Sequence, residues 1–167
     1  ACSKITELPL DVHLMIENPE SLLEDFSQAG ASILTVHVDT CPDIHKTLKT
    51  IHELGCKAGI TLNPDTPASE IFPFLPYVDL VLVMTVYPGY SGQEFMPEVV
   101  PKIAEVKDRL NAVNPKALIE VDGGISPETL PTTLEAGAQV FVAASAIFNH
   151  PQGIEVGIKS LRESMPE

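Results

Sequence analysis

The sequence Ile119-Glu120-Val121-Asp122-Gly123-Gly124 decides how this chain is interpreted. Side chains alternate between the two faces of a β-strand, so Glu120 and Asp122 share one face and the apolar residues share the other. The glycine pair lets backbone N–H groups approach a small ligand, or lets the chain turn with positive φ. The segment therefore predicts either a ligand site at a strand end or a tight turn in which Asp122 is a local cap.

A second strand end of the same type follows downstream. Residues 140–145, Val-Phe-Val-Ala-Ala-Ser, are typical of a strand that runs into a short helix. Two successive strand ends, each followed by small residues and one by a helix start, would suit a phosphate group.

Strand-like and helix-like segments alternate along the whole chain. Strands are predicted at residues 9–16, 33–38, 56–63 and 78–86, at 119–122 before the two glycines, and from residue 140 into the short helix start near 145. Helices are predicted at about 19–30, 42–55, 71–75, 97–113, 127–136 and 154–164. For the first helix, Asn18 is the predicted N-cap and Pro19 the first helical residue. This alternation is typical of a parallel sheet. No linker or low-complexity segment interrupts it, so residues 1–167 are predicted to form a single domain.

Two architectures fit a parallel α/β pattern: an open doubly wound sheet and a closed (β/α)₈ barrel. Strands of an open sheet are covered by helices on both faces and are apolar on both. Several strands here have one apolar and one polar face. The polar faces carry Asp11, His13, Thr35, His37, Thr61, Asn63, Glu120 and Asp122. This one-sided polarity favours a barrel with helices outside and a small polar interior.

Composition limits the classes of protein to which the chain can belong. Its 167 residues suffice for one domain with a real core, and 44% hydrophobic against 20% charged residues is typical of a globular protein. The net charge of −13 argues against nucleic acid or an anionic membrane as a partner. The three cysteines lack metal-type spacing, which predicts a reduced, cytoplasmic protein. No apolar run approaches the roughly 18 residues of a membrane span, and residues 1–10 do not resemble a signal peptide.

Several motifs resemble the ribulose-phosphate 3-epimerase (pentose-5-phosphate 3-epimerase) family, and they occur in the family order. They are Leu10-Asp11-Val12-His13-Leu14-Met15, Leu62-Asn63-Pro64 with Thr66-Pro67, Val83-Met84-Thr85-Val86, Pro88-Gly89-Tyr90-Ser91-Gly92-Gln93, Glu120-Val121-Asp122-Gly123-Gly124, and Val142 with Ser145-Ala146-Ile147-Phe148. The resemblance runs essentially end to end. It implies an α/β fold of the (β/α)₈ TIM-barrel type, of which this chain supplies six βα units, strands 3 to 8.

The resemblance also implies residues that this sequence does not contain. In the family, the first strand supplies a phosphate-contacting serine, and the second supplies a metal-binding histidine and a metal-binding aspartate that acts as one acid/base. We therefore expect the sequence to be a fragment or an incompletely represented chain, and we expect it not to complete the epimerisation by itself. Unpaired strand edges would favour self-association, and a homo-oligomer is expected.

By resemblance, the chemistry is the interconversion of D-ribulose 5-phosphate and D-xylulose 5-phosphate, in which a proton is removed and returned at C3 through an enediolate. Asp122 is then an acid/base and a metal ligand, and His13 is a second metal ligand that also contacts the substrate. The implied cofactor is a divalent ion (Zn, Fe, Mn or Co) that stabilises the developing negative charge. His37 faces the same way but matches no ligand of the family, so we predict a structural role for it.

The resemblance also implies the remaining substrate-binding residues. Met15 and Met84 would form an apolar wall, Gly89, Tyr90, Ser91 and Gly92 a loop over the substrate, and Gly123, Gly124, Ala144 and Ser145 a phosphate cradle. The family usually has glycine at the position of Ala144. The added methyl group would crowd the phosphate, or would cost about 1 kcal/mol if the backbone there needed positive φ.

Other functions remain open at this point. Another phosphosugar 3-epimerase, such as one acting on allulose 6-phosphate, would differ only in pocket shape. An inactive partial barrel would retain only phosphate binding. A Schiff-base aldolase needs an interior lysine near the strand carboxyl ends, whereas Lys57 lies at the start of its strand. Related barrels with an Asp-x-Lys-x-x-Asp motif have lysine where His13 stands.

Overall fold

The computed structural model describes residues 2–90 and 92–165 and contains six β-strands and six α-helices within them. The strands are β1 (Asp11–Leu14), β2 (Ile33–His37), β3 (Lys57–Leu62), β4 (Leu80–Met84), β5 (Leu118–Asp122) and β6 (Val140–Val142). The helices are α1 (Leu23–Gln28), α2 (Ile44–Glu53), α3 (Val100–Val113), α4 (Leu130–Glu135), α5 (Ser145–Phe148) and α6 (Ile154–Glu163). Short 3₁₀ helices cover Cys2–Lys4, Pro19–Leu22, Val38–Thr40, Ala68–Tyr77 and Pro97–Val99.

The six strands form one sheet in the order β1-β2-β3-β4-β5-β6, and every neighbouring pair is parallel. A doubly wound sheet would reverse its strand order partway, so the sequential order excludes that alternative. The predicted α/β fold of the barrel type is confirmed. Within the described residues, β1 and β6 are the two edges of the sheet.

The sheet is strongly curled. His13 lies on β1 and Asp122 on β5, four strand spacings away, which would put them about 19 Å apart in a flat sheet. Their side chains instead approach to 3.9 Å, measured from His13 Nδ1 to Asp122 Oδ2. The strands therefore wrap around a common interior as a half-barrel.

The two faces of the sheet differ as the alternation predicts. The outward faces of the inner strands, which include Leu34, Val36 and Ile60, are fully buried and belong to the main core with the helices. The inward face is polar on β1, β2 and β5, but β4 adds Leu80, Leu82 and Met84, which form a second, smaller apolar cluster with Val86. The most apolar strand of the sequence, β4, is thus buried along its whole length with apolar residues on both faces.

Some predicted element ends are wrong. Most strands are shorter than predicted, and α4 begins at Leu130 instead of near residue 127. Asn18 occupies the predicted N-cap position, but its side chain makes no capping hydrogen bond. Asn18 adopts φ 52°, a left-handed conformation that asparagine tolerates, and its carbonyl oxygen accepts from Ser21. The chain then enters α1 through a 3₁₀ turn. Asp43 does cap α2, since its side chain accepts from the backbone N–H of Lys46.

A close approach of two inner strands makes Gly59 necessary. A Cβ atom at Gly59 would lie 2.9 Å from the Cβ of Thr35 and would overlap its Oγ1. We expect Gly59→Ala to lower the free energy of unfolding by about 1 to 3 kcal/mol, because the added methyl group overpacks the interior. Thr35→Ala in the same chain should recover part of this loss. Urea unfolding of the two single variants and the double variant measures the coupling, and strictly additive losses would contradict the proposed clash.

No helix among the described residues is both long enough and apolar enough to cross a bilayer. Cys2, Cys41 and Cys56 are free thiols. A cytoplasmic location and a homo-oligomeric state stay predictions.

Candidate active site

The sequence-predicted residues lie at one end of the sheet, where the strands finish. Met84 and Asp122 are the last residues of β4 and β5, and they face each other in the register of these strands. Gly123 and Gly124 follow Asp122, while Ala144 and Ser145 follow β6 at the start of α5. In barrels of parallel strands, the carboxyl ends carry the active site.

His13 and Asp122 form the centre of this region. The 3.9 Å between His13 Nδ1 and Asp122 Oδ2 is too long for a hydrogen bond. His13 Nδ1 is also a buried nitrogen without any hydrogen-bond partner. A buried polar atom of this kind is one to which an ordered water, an ion or a ligand can supply the missing partner.

This geometry fits a metal ion between the two side chains. Zinc–nitrogen and zinc–oxygen bonds of about 2.0 to 2.2 Å would let one ion contact both atoms across 3.9 Å. In residues 2–90 and 92–165, however, no group of three or more histidine, cysteine, aspartate or glutamate side chains is placed to hold a metal. The pair alone is therefore a weak site, and its role as metal ligand stays a prediction.

His37 lies directly beside His13. Their Nε2 atoms are 2.8 Å apart, and the Nδ1 of His37 lies 3.9 Å from Asp39 Oδ1. The side chain of His37 is buried, and this burial, together with the neighbouring His13, lowers the pKa of His37 to about 4 although Asp39 opposes the shift. His37 is therefore a neutral ring at physiological pH.

Two adjoining cavities hold most of the predicted substrate-binding residues. The larger, about 240 Å³, is lined by Met15, Met84, Gly89, Tyr90, Asp122 and Ala144, among others. The smaller, about 50 Å³, is lined by Tyr90, Gly92, Asp122, Gly123, Gly124, Ala144 and Ser145, among others. Tyr90, Asp122 and Ala144 border both. The predicted apolar wall and the predicted phosphate cradle thus adjoin each other on either side of Asp122.

The loop over these cavities is held by Gln93. Its Nε2 donates to the carbonyl oxygens of Tyr87 at 2.7 Å and Tyr90 at 3.0 Å. Ser91, which was also predicted to bind substrate, lies outside the described residues. Tyr90 borders both cavities and is 75% exposed.

The turn after β5 requires its two glycines. Gly123 and Gly124 have φ values of 127° and 62°, in the region that side chains other than glycine rarely adopt. The buried Thr85 hydroxyl donates to the carbonyl oxygen of Gly123 at 2.6 Å and fixes the turn against β4. Ala144, in contrast, has φ −95°. The predicted conformational cost of alanine at this position therefore does not arise, and only crowding of a bound phosphate remains as an expectation.

Glu120 is a buried carboxyl group inside the barrel, 4% exposed. Burial, and then the neighbouring carboxyl groups of Asp11 and Asp122, raise the pKa of Glu120 to about 8. The pKa of Asp11 is also raised by burial, against the opposing effect of His13. The pKa values of both carboxyl groups are thus raised, and that of Glu120, the buried one of the two, is raised far more.

This raised pKa predicts a pH-dependent stability. Glu120 holds a proton in the folded state that the unfolded chain releases above its ordinary pKa of 4.5, so stability falls as pH rises from about 4.5 to 8. Glu120→Gln should raise the free energy of unfolding by about 1 to 3 kcal/mol at pH 8 and change it little at pH 5. Urea unfolding at both pH values checks this, and an equal gain at both would contradict a protonated Glu120.

Three contributions were missed in the sequence. The sequence places His37 on the inward face but predicts no partner for it, although its position two residues beyond Thr35, the register partner of His13, places it near that ring. The sequence predicts no role for Gln93, although a polar side chain directly after a glycine-rich loop is a signal for a residue that holds the loop. Thr85 carried no signal, because its partner is a backbone carbonyl on another strand.

Comparison with known proteins identifies the family. The sequence model described as the ribulose-phosphate 3 epimerase family matches residues 1–148. The chain belongs to this family. The match confirms the family inferred from the motifs, which is a family of isomerases.

Named members of the family are close relatives of this chain. The ribulose-phosphate 3-epimerase of Bacillus subtilis is 50% identical over 149 residues, which cover 89% of this chain and 69% of that protein. The enzyme of the same name from Synechocystis is 45% identical over 171 residues, which cover 100% of this chain and 74% of that protein.

Solved structures support the fold alone. Orotidine 5'-phosphate decarboxylase from Pyrococcus horikoshii superimposes with a TM-score of 0.70 at 16% identity, covering 98% of this chain and 76% of that one. 3-Hexulose-6-phosphate synthase from Salmonella typhimurium superimposes with a TM-score of 0.69 at 20% identity, covering 98% and 75%.

Proposed function

We propose that the protein is a ribulose-phosphate 3-epimerase that interconverts D-ribulose 5-phosphate and D-xylulose 5-phosphate. The observation that carries the proposal is the pairing of Asp122 with the unpartnered Nδ1 of His13 at the barrel mouth, in a chain of this family. The family relatives carry the name of this activity. The substrate site of this proposal lies between the apolar wall of Met15 and Met84 and the phosphate cradle that includes Gly123 and Gly124.

Asp122 is assigned the proton transfer. Its carboxylate takes the C3 proton, the electron pair of the C–H bond moves into a C2–C3 double bond, and the C2 carbonyl oxygen gains the negative charge of the enediolate. Return of the proton from the same side regenerates the starting sugar. Inversion additionally needs a proton donor on the opposite side of C3.

His13 and Asp122 are assigned as ligands of a divalent cation. Such an ion supplies Lewis-acid stabilisation of the charge that develops on the sugar oxygens. Met84, which is buried, and Met15, which is partly exposed, give the reacting carbon an apolar wall that excludes water.

The phosphate is assigned to the smaller cavity. Backbone groups of the turn at Gly123 and Gly124 border it together with Ser145. Two larger cavities lie nearby, with volumes of about 390 and 420 Å³. Asp39 and Asp65 line both of them, and Glu70 also lines the larger one. Their carboxylates would repel a sugar phosphate, so we place the substrate beside Asp122.

Exchange of the C3 hydrogen with solvent tests the proposal. The protein is incubated in D₂O with Zn²⁺ or Co²⁺ and either pentulose 5-phosphate, and loss of the C3 proton signal is followed by NMR. Exchange needs one acid/base group, whereas inversion needs two, so the two outcomes separate the half-reaction from the full reaction. Failure of both sugars to exchange contradicts the proposal. Faster exchange of D-allulose 6-phosphate would redirect it to that substrate.

A further inference from the structure

The smaller cavity beside Asp122 offers a phosphate no cationic side chain. Among the described residues, its lining contains no lysine, arginine or histidine, and Asp122 adds a carboxylate to it. The side-chain amide of Gln93, which also lines it, already donates to two carbonyl oxygens of the loop. The hydroxyl groups of Tyr90 and Ser145 and the backbone N–H groups remain as donors. The direction in which these N–H groups point therefore decides how well an anion is held here.

Two threonine hydroxyls hold the carbonyl groups of the glycine turn. Thr85 Oγ1 donates to the carbonyl oxygen of Gly123 at 2.6 Å, and Thr129 Oγ1 donates to that of Gly124 at 2.8 Å. Thr85 directly follows β4 and is fully buried, whereas Thr129 directly precedes α4. The Thr129 hydroxyl is itself fixed, because it accepts from the backbone N–H of Ser126 at 2.9 Å. Neither threonine lines the smaller cavity.

The directions of these carbonyl groups also set the directions of the next N–H groups. The described residues contain no cis peptide bond, so the C=O and N–H of each peptide group point in opposite directions. The N–H of Gly124 thus points away from Thr85, and the N–H of Ile125 points away from Thr129. Neither N–H donates to another atom of residues 2–90 and 92–165. Since Gly124 and Ile125 line the smaller cavity, both N–H groups are available to a ligand in it.

The glycine pair alone would not keep this arrangement. Glycine has no Cβ, so the peptide groups beside Gly123 and Gly124 can rotate more readily than those between other residues. A rotated peptide group would present its carbonyl oxygen to the cavity and would repel a phosphate. Rotation of the first peptide group would also leave the buried Thr85 hydroxyl without its acceptor, which is unfavourable. The threonine hydroxyls thus favour the arrangement that suits an anion.

We propose that Thr85 and Thr129 are positioning residues for a phosphate bound in the smaller cavity. Their hydroxyls hold the two glycine carbonyl groups away from the cavity, and this directs the N–H groups of Gly124 and Ile125 into it. The phosphate rests on the proposed function, whereas the hydrogen bonds that hold the turn do not. Both threonines act through the backbone of the turn, without contact to the ligand.

The first test is a titration of the protein with inorganic phosphate, followed by proton–nitrogen NMR without sugar or metal. We expect the amide proton signals of Gly124 and Ile125 to move downfield and to saturate, because each N–H gains a charged acceptor. Thr85→Val and Thr129→Val remove a hydroxyl with little change of shape. Each should lower the phosphate affinity about 5- to 20-fold. Thr85→Ser and Thr129→Ser keep the hydroxyl and should restore most of the affinity.

Thr133→Val is the matched control. Thr133 is fully buried, and its hydroxyl donates to the carbonyl oxygen of Leu130 at 2.8 Å, so this variant loses the same kind of hydrogen bond outside the glycine turn. It should bind phosphate like the parent. A merely structural role of Thr85 and Thr129 would lower the stability of the valine variants but would leave the phosphate affinity of the folded protein unchanged.

The second test uses the exchange of the C3 hydrogen in D₂O. Thr85→Val should raise the concentration of D-ribulose 5-phosphate that gives half-maximal exchange by about 5- to 20-fold, and Thr85→Ser should reverse most of this increase. The phosphate is remote from C3, so we expect the half-saturating concentration to change more than the maximal rate. If Thr85→Val does not fold, Thr129→Val decides the proposal, since Thr129 is only half-buried.

Each outcome supports or overturns the inference. Unchanged phosphate affinity in the two valine variants, or equal losses in the valine and serine variants with folding intact by circular dichroism, overturns the positioning role. Amide signals of Gly124 and Ile125 that phosphate does not move also overturn it, whether or not the C3 hydrogen exchanges. If these signals move but no pentulose phosphate exchanges, the inference is supported and the proposed function alone fails.

Discussion

Asp122→Asn is expected to slow exchange of the C3 hydrogen by about 10²- to 10⁴-fold, the usual contribution of a positioned acid/base group. Asparagine has nearly the same shape as aspartate but cannot accept the C3 proton. The backbone at this position, whose carbonyl oxygen accepts from the N–H of Thr85 at 2.8 Å, is unaffected by the change. We therefore expect the fold and its thermal unfolding to be retained.

The exchange assay in D₂O, repeated over a range of Co²⁺ concentrations, separates the two roles assigned to Asp122. If Asp122→Asn only weakens metal binding, high Co²⁺ should restore the exchange rate. If Asp122→Asn removes the proton-accepting group, the exchange rate should stay low at every Co²⁺ concentration. Asp108→Asn, on the exposed side of α3, is the matched control and should exchange at the parent rate. Exchange by Asp122→Asn at the parent rate would mean that another group removes the proton.

Gly123→Ala is expected to lower the free energy of unfolding by about 2 to 4 kcal/mol, the sum of backbone strain and overpacking. The backbone has φ 127°, and a Cβ atom would lie 2.7 Å from the backbone nitrogen of Val86 and 2.5 Å from its Cγ2. The nitrogen belongs to the main chain after β4 and cannot rotate away. Accommodating the methyl group would shift the strand end that carries Asp122.

Gly55→Ala is the matched control for Gly123→Ala. Gly55 has φ 81°, but a Cβ atom there meets nothing within 4 Å, so this variant reports the backbone strain alone, about 1 to 2 kcal/mol. Urea unfolding of both variants gives the difference due to the close approach. Val86→Ala should relieve Gly123→Ala only in part, because the backbone nitrogen remains. Equal losses in the two glycine variants would contradict a rigid contact at Gly123.

The sequence by itself determined the fold class and the family. Alternation with period two is a local property, so it showed which face of each strand is polar and placed His13, Glu120 and Asp122 on the inward face. Repeated strand and helix segments determined a parallel sheet. The glycine pair after Asp122 marked a turn that side chains cannot enter, which the positive φ values of Gly123 and Gly124 confirm. Element ends were predicted less well, since the left-handed backbone of Asn18 replaces an ordinary cap.

Only the tertiary structure decided which inward-facing residues meet. His13 and Asp122 lie four strands apart in the sheet, and their 3.9 Å approach depends on how far the sheet curls, which no local pattern encodes. The hydrogen bond between His13 and His37 depends on the register of β1 and β2. The raised pKa of Glu120 depends on burial among groups from other parts of the chain, including Asp11. Period and motif are set by neighbours along the chain, whereas these distances and the burial result from the packing of the whole sheet.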